Sequence, residues 1–222
     1  MSLYYSTEHV TLYHGDCLTE HREWLSADVL VTDPPYGMSL KSGAGGRFGT
    51  CSVAGDGDTA LRDSVLEAWY PRPALIFGRW SIPRPALTRA LLTWDKFEHV
   101  GMGDLSIPWK PNTEEIYVLG SGFVGRRDSS VIRVRAVAGA VGRETGRHRL
   151  HPTQKTVALM ERLIDKCPPG TIADPFAGSG STLFAAATSG RKCIGVELDE
   201  RYCELIAKRL AQGALDFTGG AA

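Results

Sequence analysis

The sequence lacks three features that would assign it quickly to a class of protein. It has no apolar run of the ~20 residues that a membrane-spanning helix needs, and the segment before Val10 has no signal-peptide core. Its five cysteines are widely spaced and form no CxxC pair, so neither a disulfide framework nor a metal site is expected. Charge of one sign is not in excess either, because 25 basic residues balance 25 acidic ones. We therefore expect a reduced cytoplasmic protein without a membrane partner.

The zero net charge hides a local imbalance. Between Ser121 and Lys155 there are eight basic residues against two acidic ones, a local charge of +6, so the rest of the chain carries −6. The arginines of this segment are Arg126, Arg127, Arg133, Arg135, Arg143, Arg147 and Arg149. Because arginine suits contacts to phosphates and to base edges, the segment is typical of a surface that binds nucleic acid.

A chain of 222 residues has the length of one domain, which we place at residues 1–222. Short β-branched runs alternate with helical patterns, which favours an α/β fold with a mostly parallel, seven-stranded sheet and helices on both faces. The predicted strands are Val10–Tyr13, Asp28–Thr32, Ala74–Phe77, Ala90–Trp94, Glu115–Leu119, Thr171–Ala173 and Lys192–Glu197. The predicted helices are Leu61–Trp69, Val157–Lys166, Ser181–Ser189 and Asp199–Gln212.

Three segments depart from this alternation. Residues 39–59 are rich in Gly and Ser and are predicted to form a mobile loop, in which Lys41 and Arg47 could contact a bound partner. Residues 121–150 are rich in Arg and Gly, with one short β-like run at Val131–Val137. Residues 218–222 are predicted to be a disordered tail.

The first candidate site is the run Asp33-Pro34-Pro35-Tyr36, directly after a predicted buried strand. Open α/β sheets bind their ligands at the carboxyl ends of strands. The two prolines hold the chain extended, so the Asp33 carboxylate and a backbone carbonyl can act as acceptors while Tyr36 offers a stacking surface. This combination favours a planar ring that carries an amino group.

The second candidate site is the run from Asp174 to Thr182, which leads from a predicted strand into a helix. Its glycines allow a ligand to approach the backbone, and the helix N-terminus supplies amide donors. Glu197 ends the next predicted strand, about 20 residues later, where a Rossmann-type unit places an acid on ribose hydroxyls. The run therefore predicts a nucleotide-like cofactor.

Two further runs fall at the same predicted edge. His14-Gly15-Asp16 closes the first strand, and His151-Pro152-Thr153-Gln154-Lys155 precedes a helix. Thr153 is placed to cap that helix, and Lys155 could reach a carboxylate.

Taken together, Asp33–Tyr36, Asp174–Gly180 and His151–Lys155 resemble the motifs of the amino-group DNA methyltransferases. The order, with the Asp-Pro-Pro-Tyr motif first and the cofactor motif last, resembles their circularly permuted β class. The resemblance covers Leu12 to Leu210 and implies a Rossmann-like methyltransferase fold with residues 121–150 as a short target-recognition insert. Thr156 departs from the family, which often has proline there.

The resemblance also implies roles for residues. S-adenosylmethionine would be bound by Asp16, Thr153, Lys155, Asp174, Phe176, Gly178, Gly180 and Glu197. The target base would be held by Asp33, Pro34, Pro35 and Tyr36. Double-stranded DNA would be bound by the two segments 39–59 and 121–150. A homodimer is one way for so short an insert to read a longer site.

The expected activity is methyl transfer to N6 of a flipped-out adenine in a prokaryotic or phage-infected cell. N4-cytosine methylation is an alternative, although those enzymes more often resemble a Ser-Pro-Pro-Tyr pattern. RNA or protein-amide methylation and a non-catalytic partner subunit also remain open.

Overall fold

The computed structural model describes residues 3–35, 59–97, 104–136 and 155–218, and in the last range it describes side chains as far as Gln212. Nine strands in these ranges form one mixed sheet. The strands are β1 Leu3–Ser6, β2 Val10–His14, β3 Val29–Thr32, β4 Ala74–Gly78, β5 Ala90–Asp95, β6 Thr113–Leu119, β7 Val131–Arg133, β8 Ile172–Asp174 and β9 Cys193–Glu197. The helices are α1 Ala60–Trp69, α2 Val157–Ile164, α3 Ser181–Thr188 and α4 Glu200–Thr218, and a short 3-10 helix spans Glu23–Ser26.

The sheet order is β1-β2-β9-β8-β3-β4-β6-β5-β7. The five strands from β2 to β4 are parallel to one another, so their carboxyl ends share one edge. Strand β6 runs antiparallel to β4 and to β5, which brings the start of β6 and the end of β5 to the same edge. We call this the carboxyl edge and the opposite one the amino edge.

Alternating side chains on the strands divide the core into two layers. Val29, Val31 and Phe77 pack with α2, α3 and α4 on one face. Leu30 and Ile76 pack with α1 and the 3-10 helix on the other. Helices thus cover both faces, as the alternation of elements predicts.

The predicted seven strands and four helices are all present, with boundaries shifted by a few residues. The predicted count of seven strands is wrong, because two short edge strands extend the sheet to nine. Strand β1 pairs antiparallel with β2, and its half-exposed side chains give only a weak apolar pattern. Strand β7 is the start of the β-like run and pairs in parallel with β5.

Two other local predictions need correction. Thr153 is not the cap of α2: the cap is Thr156, whose Oγ1 accepts from the Leu159 amide at 3.2 Å. The hydroxyl at the position where the family often has proline therefore supplies this bond. Thr218 belongs to α4, and the rest of the predicted tail lies outside the described residues.

The predicted loop falls mostly outside the described residues as well, since only Thr59 of residues 39–59 is included. Within the described ranges, none of the helices has the length and apolar character required to cross a bilayer.

Candidate active site at the carboxyl edge

Four carboxylates mark the ends of neighbouring parallel strands. Asp16 follows β2, Glu197 ends β9, Asp174 ends β8 and Asp33 follows β3. These strands are adjacent and parallel, so these four predicted cofactor and base residues are brought to one edge of the sheet. The arrangement follows from strand order, although Asp33 and Asp174 are 141 positions apart in the chain.

Asp33 is held by a buried lysine. The Nζ of Lys155 contacts Asp33 Oδ2, and it also lies 3.2 Å from Glu114 Oε2. Burial acts to lower the pKa of Lys155, but the charges of Asp33 and Glu114 outweigh it, so that pKa lies above its ordinary value. Lys155 is thus a charged ammonium beside Asp33, which confirms that it reaches a carboxylate.

Asp174 is buried beside β3. Its Oδ1 accepts hydrogen bonds from Thr32 Oγ1 at 2.6 Å and from the Phe176 amide at 3.2 Å. Burial raises its pKa to about 6, and the nearby charge of Asp33 adds to the rise, although the hydrogen bonds oppose it. Thr32, which sequence reasoning missed, therefore links β3 to the end of β8 directly behind Asp33.

The turn from Asp174 into α3 depends on glycine at two positions. Gly178 has φ of +52°, and a Cβ there would meet nothing closer than Phe176 O at 3.9 Å, so its backbone borders open space. Gly180 caps α3 with φ of +79°, and a Cβ there would lie 2.7 Å from Ile206 Cγ1 on α4. The first glycine leaves room at the edge, and the second lets α3 and α4 pack closely.

Glu197 holds this turn against the end of β9. Its Oε2 accepts from the Gly178 amide at 2.7 Å and its Oε1 from the Asp199 amide at 2.9 Å. Burial raises its pKa to about 6 against the effect of these bonds, and Asp174 contributes to the rise. Since a carboxylate has about four acceptor sites, Glu197 retains capacity for hydroxyl donors.

Asp16 organises a turn of its own. Its Oδ1 accepts from the amides of Leu18 and Thr19, both at 2.8 Å. Burial would raise the pKa of Asp16, but these hydrogen bonds keep it below the ordinary value. The half-buried carboxylate is therefore charged at the carboxyl edge, one strand away from Glu197.

The predicted DNA-binding arginines separate into two groups. Arg133 and Arg135 are exposed at the carboxyl end of β7, where Arg133 Nε lies 3.1 Å from Asp95 Oδ2. Arg126 and Arg127 are also exposed, but they lie near the amino edge. The Arg126 carbonyl accepts a hydrogen bond from Lys166, which lies between α2 and the start of β8. Lys41, Arg47, Arg143, Arg147 and Arg149, together with Tyr36 and Thr153, lie outside the described residues.

Sequence reasoning missed Glu114 and Lys96. Glu114 opens β6 and Lys96 follows β5, and the two side chains form an ion pair at the carboxyl edge. The available signal was their position: both flank predicted strands, but only the antiparallel pairing of β5 and β6 shows that they meet beside Lys155.

Known proteins share this sequence pattern and this fold. A family model described as DNA methylase matches residues 80–209. The type II methyltransferase M.ScaI of Streptomyces caespitosus is 26% identical, over 93% of this chain and 83% of its own length.

Two solved structures are similar in fold. M1.HpyAVI in complex with SAM superposes with a TM-score of 0.62 at 19% identity, over 90% of this chain and 99% of that one. The cytosine-N4-specific PvuII DNA methyltransferase also has a TM-score of 0.62, at 14% identity, over 92% and 87% of the two chains. The matching family model spans more than half of the chain, and the chain therefore belongs to the DNA methylase family of N6/N4 amino-group methyltransferases.

Proposed function

We propose that this protein transfers a methyl group from S-adenosylmethionine to the exocyclic N6 of adenine in double-stranded DNA. The observation that carries the proposal is the meeting of the Asp33-Pro34 motif with Asp174 and the Gly178–Glu197 pair at one sheet edge. An acceptor site for an amino group thus lies beside a cradle suited to a nucleoside-like cofactor. The position of Asp33, where cytosine-N4 enzymes more often have serine, supports adenine.

The residues of the cradle fit the cofactor chemically. Gly178 leaves open space at the backbone, the α3 N-terminus supplies amide donors, and Glu197 has acceptor capacity for ribose hydroxyls. Asp16 would accept from the adenine amino group of the cofactor. When bound, S-adenosylmethionine supplies a methyl group on a positively charged sulfur, which is a good leaving group.

The exocyclic amine is a poor nucleophile because its lone pair delocalises into the ring. In the proposed reaction, the Asp33 carboxylate and the Pro34 carbonyl accept hydrogen bonds from the two N–H groups of the amine, which favours a pyramidal nitrogen whose lone pair is available for methylation. The Asp33 carboxylate would stabilise the positive charge that develops on this nitrogen as it gains the methyl group, and a proton would then leave to water. A base inside a duplex cannot reach Asp33, so it must be flipped out.

Features of the carboxyl edge support contact with DNA there. Arg133 and Arg135 are exposed at this edge, and the tryptophans Trp80 and Trp109 are 74% and 75% exposed in the segments that follow β4 and precede β6. Large exposed aromatic rings beside basic groups are typical of surfaces that bind a partner, and bases offer faces on which such rings stack.

The activity is tested with unmethylated plasmid, the protein and isotopically labelled S-adenosylmethionine, followed by mass spectrometry of the nucleosides. N6-methyladenine is expected, and it should disappear in Asp33→Ala while calorimetry shows unchanged cofactor affinity. N4-methylcytosine would favour the second candidate, to which the PvuII fold likeness points. Labelled RNA with unlabelled DNA would contradict the proposal.

A further inference from the structure

Four charged side chains alternate in sign along the carboxyl edge. Lys96 pairs with Glu114, Glu114 with Lys155, and Lys155 with Asp33. They come from the end of β5, the start of β6, the residues before α2 and the end of β3. No two of the four are adjacent in the chain, so the row exists only because the strand order brings these element ends together.

The row is largely withdrawn from water. The side chain of Lys155 is 5% exposed, that of Lys96 16% and that of Glu114 22%. Each inner member has two partners of opposite charge, and the four formal charges sum to zero. Removing one charge therefore leaves a buried group uncompensated, which is far costlier than losing an exposed pair.

Lys155 is shared between Asp33 and Glu114. The ammonium of Lys155 donates to Asp33 Oδ2 and forms an ion pair with Glu114 Oε2 at 3.2 Å, and its Nζ lies 4.8 Å from the centre of the Phe77 ring. Without the Glu114 charge, Asp33 becomes the principal anionic partner of Lys155. The ammonium then competes more strongly with an incoming amine for the Asp33 oxygens.

The charge of Glu114 is itself maintained by lysine. Burial acts to raise the pKa of Glu114, but Lys155 and Lys96 outweigh it, and the pKa lies below its ordinary value. Lys96 thus holds Glu114 from the side opposite to Lys155.

We propose that Glu114, held by Lys96, is a positioning residue that acts on Asp33 through Lys155. The inference rests on the proposed function in that Asp33 is taken as the group that binds the target amine. Glu114 itself is separated from Asp33 by Lys155 and does not need to touch the base.

The chain offers a matched control in the next residue. Glu115 lies on the same strand but on the opposite face, where it pairs with Arg84 at 2.8 Å and accepts from the Tyr117 hydroxyl at 2.7 Å. We expect Glu114→Gln to lower kcat roughly 10- to 100-fold, with KM for DNA and cofactor within about twofold of wild type. Glu115→Gln should leave kcat unchanged.

Lys96 provides the second variant, because it ends the row on the Glu114 side and contacts neither of the other two members. Lys96→Met should reproduce part of the loss in kcat, and Lys96→Arg should restore it, since arginine keeps the charge next to Glu114. Equal kcat in wild type and Glu114→Gln, or equal losses in Lys96→Met and Lys96→Arg, would overturn the positioning role.

A readout independent of turnover separates this inference from the proposed function. The Lys155 ε-carbon signal, followed by NMR against pH, should titrate at a lower pH in Glu114→Gln than in the wild type, because one of the two facing carboxylates is removed. An unchanged titration would overturn the role of Glu114 even in an active enzyme. Absence of methyl transfer to DNA by the wild type would instead contradict the proposed function, and the titration would still decide whether Glu114 acts on Lys155.

Discussion

At the scale of single residues, the carboxylates of the edge differ because their neighbours differ. Asp33 faces an ammonium, whereas the buried Asp174 and the half-buried Glu197 accept hydrogen bonds and have pKa values raised to about 6. The same carboxyl group therefore serves as an anion paired with lysine in Asp33 and as an acceptor that is costly to ionise in Asp174 and Glu197. The sequence shows the acids but not these environments, since Thr32 is distant in the chain from Asp174, and Glu114 is distant from both Asp33 and Lys155.

Glu197→Gln should weaken cofactor binding without a comparable loss of turnover at saturating cofactor. The substitution puts an amide donor opposite a backbone amide of Gly178 or Asp199, so one of the two bonds is broken. The ribose hydroxyls would also lose their charged acceptor, and since hydrogen bonds to charged groups contribute about 1.5–3 kcal/mol, the expected increase in Kd by calorimetry is roughly 10- to 100-fold. Glu200 is exposed three residues later, so Glu200→Gln is the control and should bind the cofactor with wild-type affinity. Wild-type cofactor affinity in Glu197→Gln would exclude the proposed ribose contact.

Asp174 should make the protein less stable as pH rises through its pKa. Its folded pKa of about 6 exceeds the ordinary value of 3.8, so the folded state binds the proton more tightly. The resulting stabilisation is complete below about pH 4 and is lost as pH rises through about 6, a change on the order of 3 kcal/mol. Urea unfolding from pH 4 to 7 should show a shallower decline for Asp174→Asn, and an unchanged slope would show that another group is responsible.

At the scale of elements, the sequence predicts the seven inner strands and four helices because each carries a strong apolar period. It predicts less about pairing. The antiparallel insertion of β6 beside β4 and the edge strand β1 depend on contacts between residues far apart in the chain. For that reason the motif at Asp33–Pro35 was predictable as a site, whereas its connection to Glu114 and Lys96 was not.

The packing of α3 against α4 should depend on Gly180. Alanine there adds a Cβ at 2.7 Å from Ile206 Cγ1 and must adopt φ of +79°. The left-handed conformation costs about 1–2 kcal/mol and overpacking adds about 1–3 kcal/mol. Gly190, at the C-terminal end of α3, has φ of +66° but nothing within 4 Å of its Cβ position, so Gly190→Ala should show the conformational cost alone. Equal free energies of unfolding in urea would show that α4 yields to the extra methyl group.

At the scale of the whole molecule, the zero net charge conceals a separation of acidic residues from a basic segment. The acids of the site line the carboxyl edge, and the described start of the segment of local charge +6, residues 121–136, passes beside β5 through β7. From the sequence, all of its arginines are equivalent candidates for DNA contacts. The path of β7 distinguishes them, because Arg126 and Arg127 lie near the amino edge and Arg133 and Arg135 lie at the edge that holds Asp33.

DNA affinity should therefore depend on Arg133 and Arg135 and not on Arg126 and Arg127. Removal of one bound phosphate from the interface reduces the slope of log K against log salt by about 0.9, so Arg133→Ala with Arg135→Ala should weaken binding and flatten the slope by up to about 2. Arg126→Ala with Arg127→Ala removes the same charge from the same segment and is the matched control. Fluorescence anisotropy with duplex DNA between about 50 and 200 mM salt, a range chosen because phosphate binding varies steeply there, measures both variants. A flattened slope in the Arg126 and Arg127 variant would place the DNA at the amino edge, where a base could not reach Asp33.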